Sequence, residues 1–214
     1  TAAETGVHNN KTFTQSNAIN FNGSTELDNG MNVAVHFELD DGSNGGAATA
    51  GTSVWDNHSI TVSSDAMGTF VFAGHGGSSA QSALDTTAAG DIFDNFDATA
   101  SIAATEVFNG SKAGNNIMKY TLPSMVDGLS VAVSYQAGGN ANAGSSSSTA
   151  YGATYTGVEG LTVSYGVGDD NDTAADEREV STMSASYAYG SFTLSMSESE
   201  NDATTADTDQ KLKS

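Results

Sequence analysis

The sequence predicts an all-β fold, a transmembrane antiparallel up-and-down β-barrel, on three observations. Apolar residues alternate with polar ones at period two, as one face of a sheet requires. Short turns alternate with long polar loops, the arrangement of a barrel whose strands cross a bilayer. No stretch approaches the roughly 20 consecutive apolar residues of a spanning helix, whereas a barrel strand needs only about 9–11 residues and signals itself by alternation.

The segment from Ala18 to Leu39 sets the pattern. Ile19, Phe21, Thr25 and Leu27 fall on one face, and Asn20, Asn22, Ser24 and Glu26 on the other. Asp28-Asn29-Gly30 then turns the chain, because Asn-Gly tolerates the positive φ of a tight hairpin. Met31, Val33, Val35, Phe37 and Leu39 resume the apolar face, opposite His36 and Glu38. Ile60 and Val62 lead to a turn at Ala66-Met67-Gly68, followed by Phe70 and Phe72. Met118, Tyr120 and Leu122 lead through Val126-Asp127-Gly128 to Leu129, Val131, Val133 and Tyr135. Tyr151, Ala153 and Tyr155 lead through Val158-Glu159-Gly160 to Leu161, Val163, Tyr165 and Val167. Met183, Ala185, Tyr187 and Tyr189 lead through Gly190 to Phe192, Leu194 and Met196. The sum is about ten strands in five hairpins. Polar loops over 40–55, 75–115, 137–149 and 168–179 join the hairpins, with 197–214 as a polar tail. Tyr135, Tyr151, Tyr155, Tyr187, Tyr189 and Phe192 sit near strand ends, where a lipid-facing barrel places its aromatic girdles.

Composition narrows the function. Hydrophobic residues make up 37%, too few for a thick two-sided core and enough for strands with one apolar face. The 26 Asp and Glu against 6 Lys and Arg give a formal charge of −20, and no Lys or Arg lies between Lys11 and Lys112. Nucleic-acid binding needs the opposite surface, so no nucleic-acid partner is expected; the acids suit hydrated loops, divalent cations or a path that favours cations. With 0 Cys, cysteine catalysis and zinc–thiolate sites are excluded. His8, His36, His58 and His75 have no metal spacing, no Gly-x-Ser-x-Gly elbow occurs, and the Gly-rich stretches lack the Lys of a phosphate loop. The expectation is a protein that is not an enzyme and holds no cofactor. The run Asp169-Asp170-Asn171-Asp172 to Glu179 lacks the Gly and Glu of an EF-hand loop, so loosely bound Ca2+ is the most it offers; a solvated acidic loop, with Arg178 as internal ion-pair partner, is its plainer reading.

Four segments together resemble the general diffusion porins of Gram-negative bacteria: INFNGSTELDNGMNVAVHFEL, DNHSITVSSDAMGTFVFAGHGG, NNIMKYTLPSMVDGLSVAVSYQ and GVEGLTVSYGV. The resemblance runs over roughly residues 18–198. It implies a water-filled channel in the bacterial outer membrane for passive diffusion of small hydrophilic solutes and ions, surrounded by lipid and lipopolysaccharide and assembled as a homotrimer. It also implies about sixteen strands, with a third long loop that follows the fifth strand and folds into the lumen.

If residues 18–27 are the second strand of that pattern, the longest loop, 75–115, falls in the place of the inward loop of a barrel domain spanning 1–214. Its acids Asp85, Asp91, Asp94, Asp97 and Glu106 would line the pore constriction, anchored by Phe93, Phe96 and Phe108. The resemblance further implies bases on the opposing wall; Lys119, between Met118 and Tyr120, should point into the lumen there. Glu26, His36 and Glu38 should line the lumen by the same alternation. The family's closing aromatic residue is missing from Lys211-Leu212-Lys213-Ser214, so the chain reads as an incomplete member. A secreted, acidic adhesin or surface-layer β-domain binding calcium explains the composition equally well, but not the alternation of short turns and long loops.

Overall fold

The computed structural model describes residues 18–39, 55–84, 114–138, 147–171, 177–203 and 210–213. Within them the chain forms one antiparallel sheet whose strands lie in sequence order. They are β1 (Ile19–Glu26), β2 (Asn32–Leu39), β3 (Trp55–Ser64), β4 (Gly68–His75), β5 (Ile117–Thr121), β6 (Leu129–Gln136), β7 (Ser148–Val158), β8 (Leu161–Asn171), β9 (Glu177–Tyr189), β10 (Phe192–Ala203) and β11 (Gln210–Lys213). All ten expected strands are present, each beside its sequence neighbour as in an up-and-down barrel, and β11 is an eleventh.

The strands differ from expectation at the long-loop end. β8 continues to Asn171 and β9 begins at Glu177, so most of the expected loop 168–179 is paired backbone. Asp169 sits opposite Glu179, and Asp170 opposite Arg178. The expected tail likewise contains the end of β10 and all of β11, with Asn201 opposite Gln210. The reason is physical. Ladder hydrogen bonds are indifferent to side-chain polarity, so the pairing persists where the alternation of apolar and polar residues stops.

The five short connections lie at one end of the sheet, between β1 and β2, β3 and β4, β5 and β6, β7 and β8, and β9 and β10. Each contains or abuts a glycine with positive φ: Gly30, Gly68, Gly128, Gly160 and Gly190. At Gly68 the need is doubled, because φ is 78° and a Cβ would run into the carbonyl oxygen of Thr121 and to 2.7 Å from the nitrogen of Pro123. Left-handed backbone alone costs a non-glycine residue about 1–2 kcal/mol. Gly68→Val should therefore lose at least that much stability, read as a lower urea midpoint for unfolding from detergent or vesicles.

Register divides the side chains into two faces. One carries Phe21, Val35, Ile60, Phe70, Tyr120, Val133, Tyr151, Tyr165, Met183 and Met196. The other is small and polar, with Asn22, His36, Ser59, Ser134, Ser164, Thr182 and Ser199 among its members. The exposure is the reverse of a water-soluble protein. Phe21, Tyr151, Tyr165 and Leu194 are exposed, whereas Ser134, Ser164, Thr182, Ser197, Ser199 and Asn201 are buried. Even the buried apolar strand residues, Ala73, Ile117, Ala150 and Val180, belong to the polar face. This is the pattern of the inner face of a curled sheet, with an apolar outer face that only lipid or another apolar surface can cover.

Candidate functional site: the polar face and the segment seated on it

The polar face is held by hydroxyl pairs between strands. Thr154 Oγ1 lies 3.0 Å from Ser164 Oγ across β7 and β8, and Thr182 Oγ1 lies 2.9 Å from Ser199 Oγ across β9 and β10. On β1 and β2, His36 Nδ1 lies 2.7 Å from Asn22 Oδ1, while Glu38 accepts a 2.8 Å hydrogen bond from the Asn57 amide. Glu26, His36 and Glu38 all occupy this face, as alternation predicts, with Glu26 at the short-turn end and Glu38 at the other.

After β4 the chain turns onto the same face. Gly77 and Gly114 exchange two backbone hydrogen bonds of 2.8 and 2.7 Å, which pinch together the base of the long connection to β5. Ser79 then starts a tight helical turn: its Oγ accepts from the Ser82 backbone N–H at 2.9 Å and its carbonyl from that of Ala83 at 3.1 Å. The Ser79 hydroxyl thereby satisfies the Ser82 amide, a donor that the start of such a turn leaves without a backbone partner.

The turn lies flat on the sheet. The Ala80 N–H donates to Ser134 Oγ of β6 at 2.8 Å, and the Gln81 amide donates to Thr182 Oγ1 of β9, also at 2.8 Å. Between these anchors lie two strand glycines, Gly152 of β7 and Gly166 of β8. A Cβ on Gly152 would strike the Ala80 carbonyl oxygen, and one on Gly166 would stand 3.0 Å from Gln81 Cα. Gln81 is fully buried in consequence.

Lys119, on β5 opposite Val71 and Ser134, shares the polar face. With Ala83, Leu84, Thr121, Ala132 and Gly152 it lines a cavity of about 150 Å³ beside the turn. Lys119, expected at a constriction, is thus adjacent to the start of the long connection, whereas Glu26, His36 and Glu38, expected along the lumen, are on strands farther along the sheet. Asp85, Asp91, Asp94, Asp97 and Glu106 lie outside the described residues, as does most of the loop 75–115. Among the described residues no three acidic or histidine side chains converge as a metal site would require. Sequence reasoning missed Gln81, Ser134 and Thr182. The available signal was Gly152 and Gly166, since glycine inside a strand marks a close approach of another backbone.

The family model for Gram-negative porins matches residues 1–213. The chain belongs to the Gram-negative porin family. The porin is a non-catalytic transport protein of the bacterial outer membrane, a diffusion channel whose surroundings are membrane lipid and whose cargo is small solutes. Among solved structures it is similar to a mutant of Rhodopseudomonas blastica porin at 15% identity and a TM-score of 0.42, over 89% of this chain and 75% of that one. Another mutant of the same porin is 18% identical with a TM-score of 0.39, over the same shares of both chains. No curated protein matches. The family and the exposed apolar face leave no place for a secreted adhesin or surface-layer domain, which would have to hide that face from water.

Proposed function

We propose that the porin conducts small hydrophilic solutes and ions with a preference for cations, along a path lined by the polar face and narrowed by the loop 75–115. The observation that carries this reading is the seating of residues 79–84 on the polar face. A loop that leaves β4 and lies down across β6 to β9 is directed along the wall of the lumen, not away from it. Asp85 follows at once in sequence, and Asp91, Asp94, Asp97 and Glu106 belong to the same connection. Carboxylates at a narrow point concentrate cations and repel anions. The chain-wide excess of 26 acids over 6 bases acts in the same direction. Glu26, His36 and Glu38 line the wider wall, and Lys119 is the base that faces the loop. A homotrimer in a lipopolysaccharide-bearing membrane completes the proposal.

Single-channel recording of the detergent-extracted, full-length porin in planar bilayers, with reversal potentials under a salt gradient, tests it. The expected result is discrete current steps with a reversal potential of cation-selective sign. An anion-selective sign would keep the channel and remove the acidic constriction.

A further inference from the structure

The geometry points to Gln81 as a positioning residue, which with Thr182, Ser199 and the bare backbone of Gly152 and Gly166 forms a latch that fixes how far the inward loop stands off the wall. The inference rests on the channel reading above and adds the device that would keep the channel's width constant.

Five strands contribute. Ser134 of β6 receives the Ala80 N–H, Gly152 of β7 and Gly166 of β8 provide a floor without side chains, and Thr182 of β9 receives the Gln81 amide. Ser199 of β10 lies 2.9 Å behind the Thr182 hydroxyl. A hydroxyl both accepts and donates, so Thr182 can accept from Gln81 while donating to Ser199, and the two bonds polarise one another in the same direction.

The segment that this holds is small and polar apart from Leu84. Ala80, Gln81, Ser82 and Ala83 offer hardly any apolar area, so the hydrophobic effect contributes little to their docking. Directional hydrogen bonds and close backbone contact must supply it. Such a joint has one good position. Shifted along the strands, the Gln81 amide loses Thr182 and the Ala80 carbonyl meets a residue with a Cβ. The pinch between Gly77 and Gly114 fixes where the loop starts, and the Gln81 latch fixes the direction in which it leaves.

The test uses full-length porin reconstituted in planar bilayers in KCl, with Thr182→Val, Thr182→Ser and Gly152→Ala compared with the parent. Valine keeps the shape of threonine and its preference for strands, but leaves the buried Gln81 amide without that acceptor. Thr182→Val should raise the frequency of transitions between full and altered current levels roughly tenfold, about 1.4 kcal/mol of latch equilibrium. Thr182→Ser, which keeps the hydroxyl, should behave as the parent. Gly152→Ala should give the same noise as Thr182→Val without weakening the barrel, since alanine is no worse than glycine in a strand.

Hydrogen exchange on the same vesicles provides a readout independent of conduction. In Thr182→Val the peptide spanning residues 79–84 should exchange roughly tenfold faster, following the opening equilibrium, while strand peptides keep their protection. Quiet, parent-like currents and unchanged exchange in both Thr182→Val and Gly152→Ala would overturn the latch even though the channel conducts. A parent protein that shows no channel, yet exchanges faster at 79–84 on losing the hydroxyl, would overturn the channel reading and leave the latch standing.

Discussion

Tyr165→Arg is expected to destabilise the membrane-inserted porin by about 2–4 kcal/mol, the penalty for a cationic side chain on the lipid face near the bilayer midplane. Tyr165 projects from β8 between Ala153 and Met183, near the middle of the apolar stretch Leu161–Val167, and is 53% exposed. In water such a substitution would be close to neutral or would improve solubility. The sign of the effect therefore reports which solvent the face meets. Ser186→Arg, on β9, is the matched control. Ser186 pairs with Thr162 and Ser195 on the polar face, so a guanidinium there reaches the lumen and should leave stability within about 0.5 kcal/mol, the usual range for a surface change. Urea titration of both variants in lipid vesicles, followed by the mobility of unheated samples on gels, separates them. Equal stability of the two variants would mean that the apolar face is covered by protein and not by lipid.

Much of this arrangement was legible in the residues because a barrel in a membrane is written in one symbol, alternation. Asn22, His36 and Glu38 against Phe21, Val35 and Phe37 assign both faces of β1 and β2, and Lys119 between Met118 and Tyr120 falls on the polar face by the same rule. The rule fails at the long-loop end of the sheet. From Asp169 to Glu179 neither face need be apolar, so strand and loop look alike, and the pairing of Asp169 with Glu179 even sets like charges side by side. A cross-strand pair of that kind is tolerable only in high-dielectric surroundings, where the repulsion is small.

The seat of residues 79–84 was harder to read for a different reason. Ser79, Ala80 and Gln81 lie in a run of Gly, Ser and Ala that carries no periodicity at all, and the strand partners of Ala80 and Gln81 are 54 and 101 residues away in sequence. What the sequence did contain was the complement. Gly152 and Gly166 occupy polar-face slots where alternation calls for a side chain, and a vacant slot in a strand means that something else fills it.

Lys119→Glu should shift the porin's permeability toward cations. An ion passing ~7 Å from this position in a water-like dielectric feels about 0.6 kcal/mol per unit charge. Reversal changes the charge by two units, about 1.2 kcal/mol in all, or roughly eightfold in the local concentration of a monovalent cation. Lys119→Gln, a change of one unit, should give roughly threefold. The position makes this base more consequential than its number suggests. It lines the cavity beside Ala83 and Leu84, at the point where the loop carrying Asp85 leaves the described wall. Reversal potentials under a KCl gradient measure the effect, and ionic strength identifies its cause. At about 0.1 M salt the screening length is ~10 Å and the shift should be near its full size, while at about 1 M, with ~3 Å, most of it should vanish. A shift that survives high salt would mean that the glutamate has moved the loop. An unchanged reversal potential at low salt would place the ion path elsewhere than past Lys119.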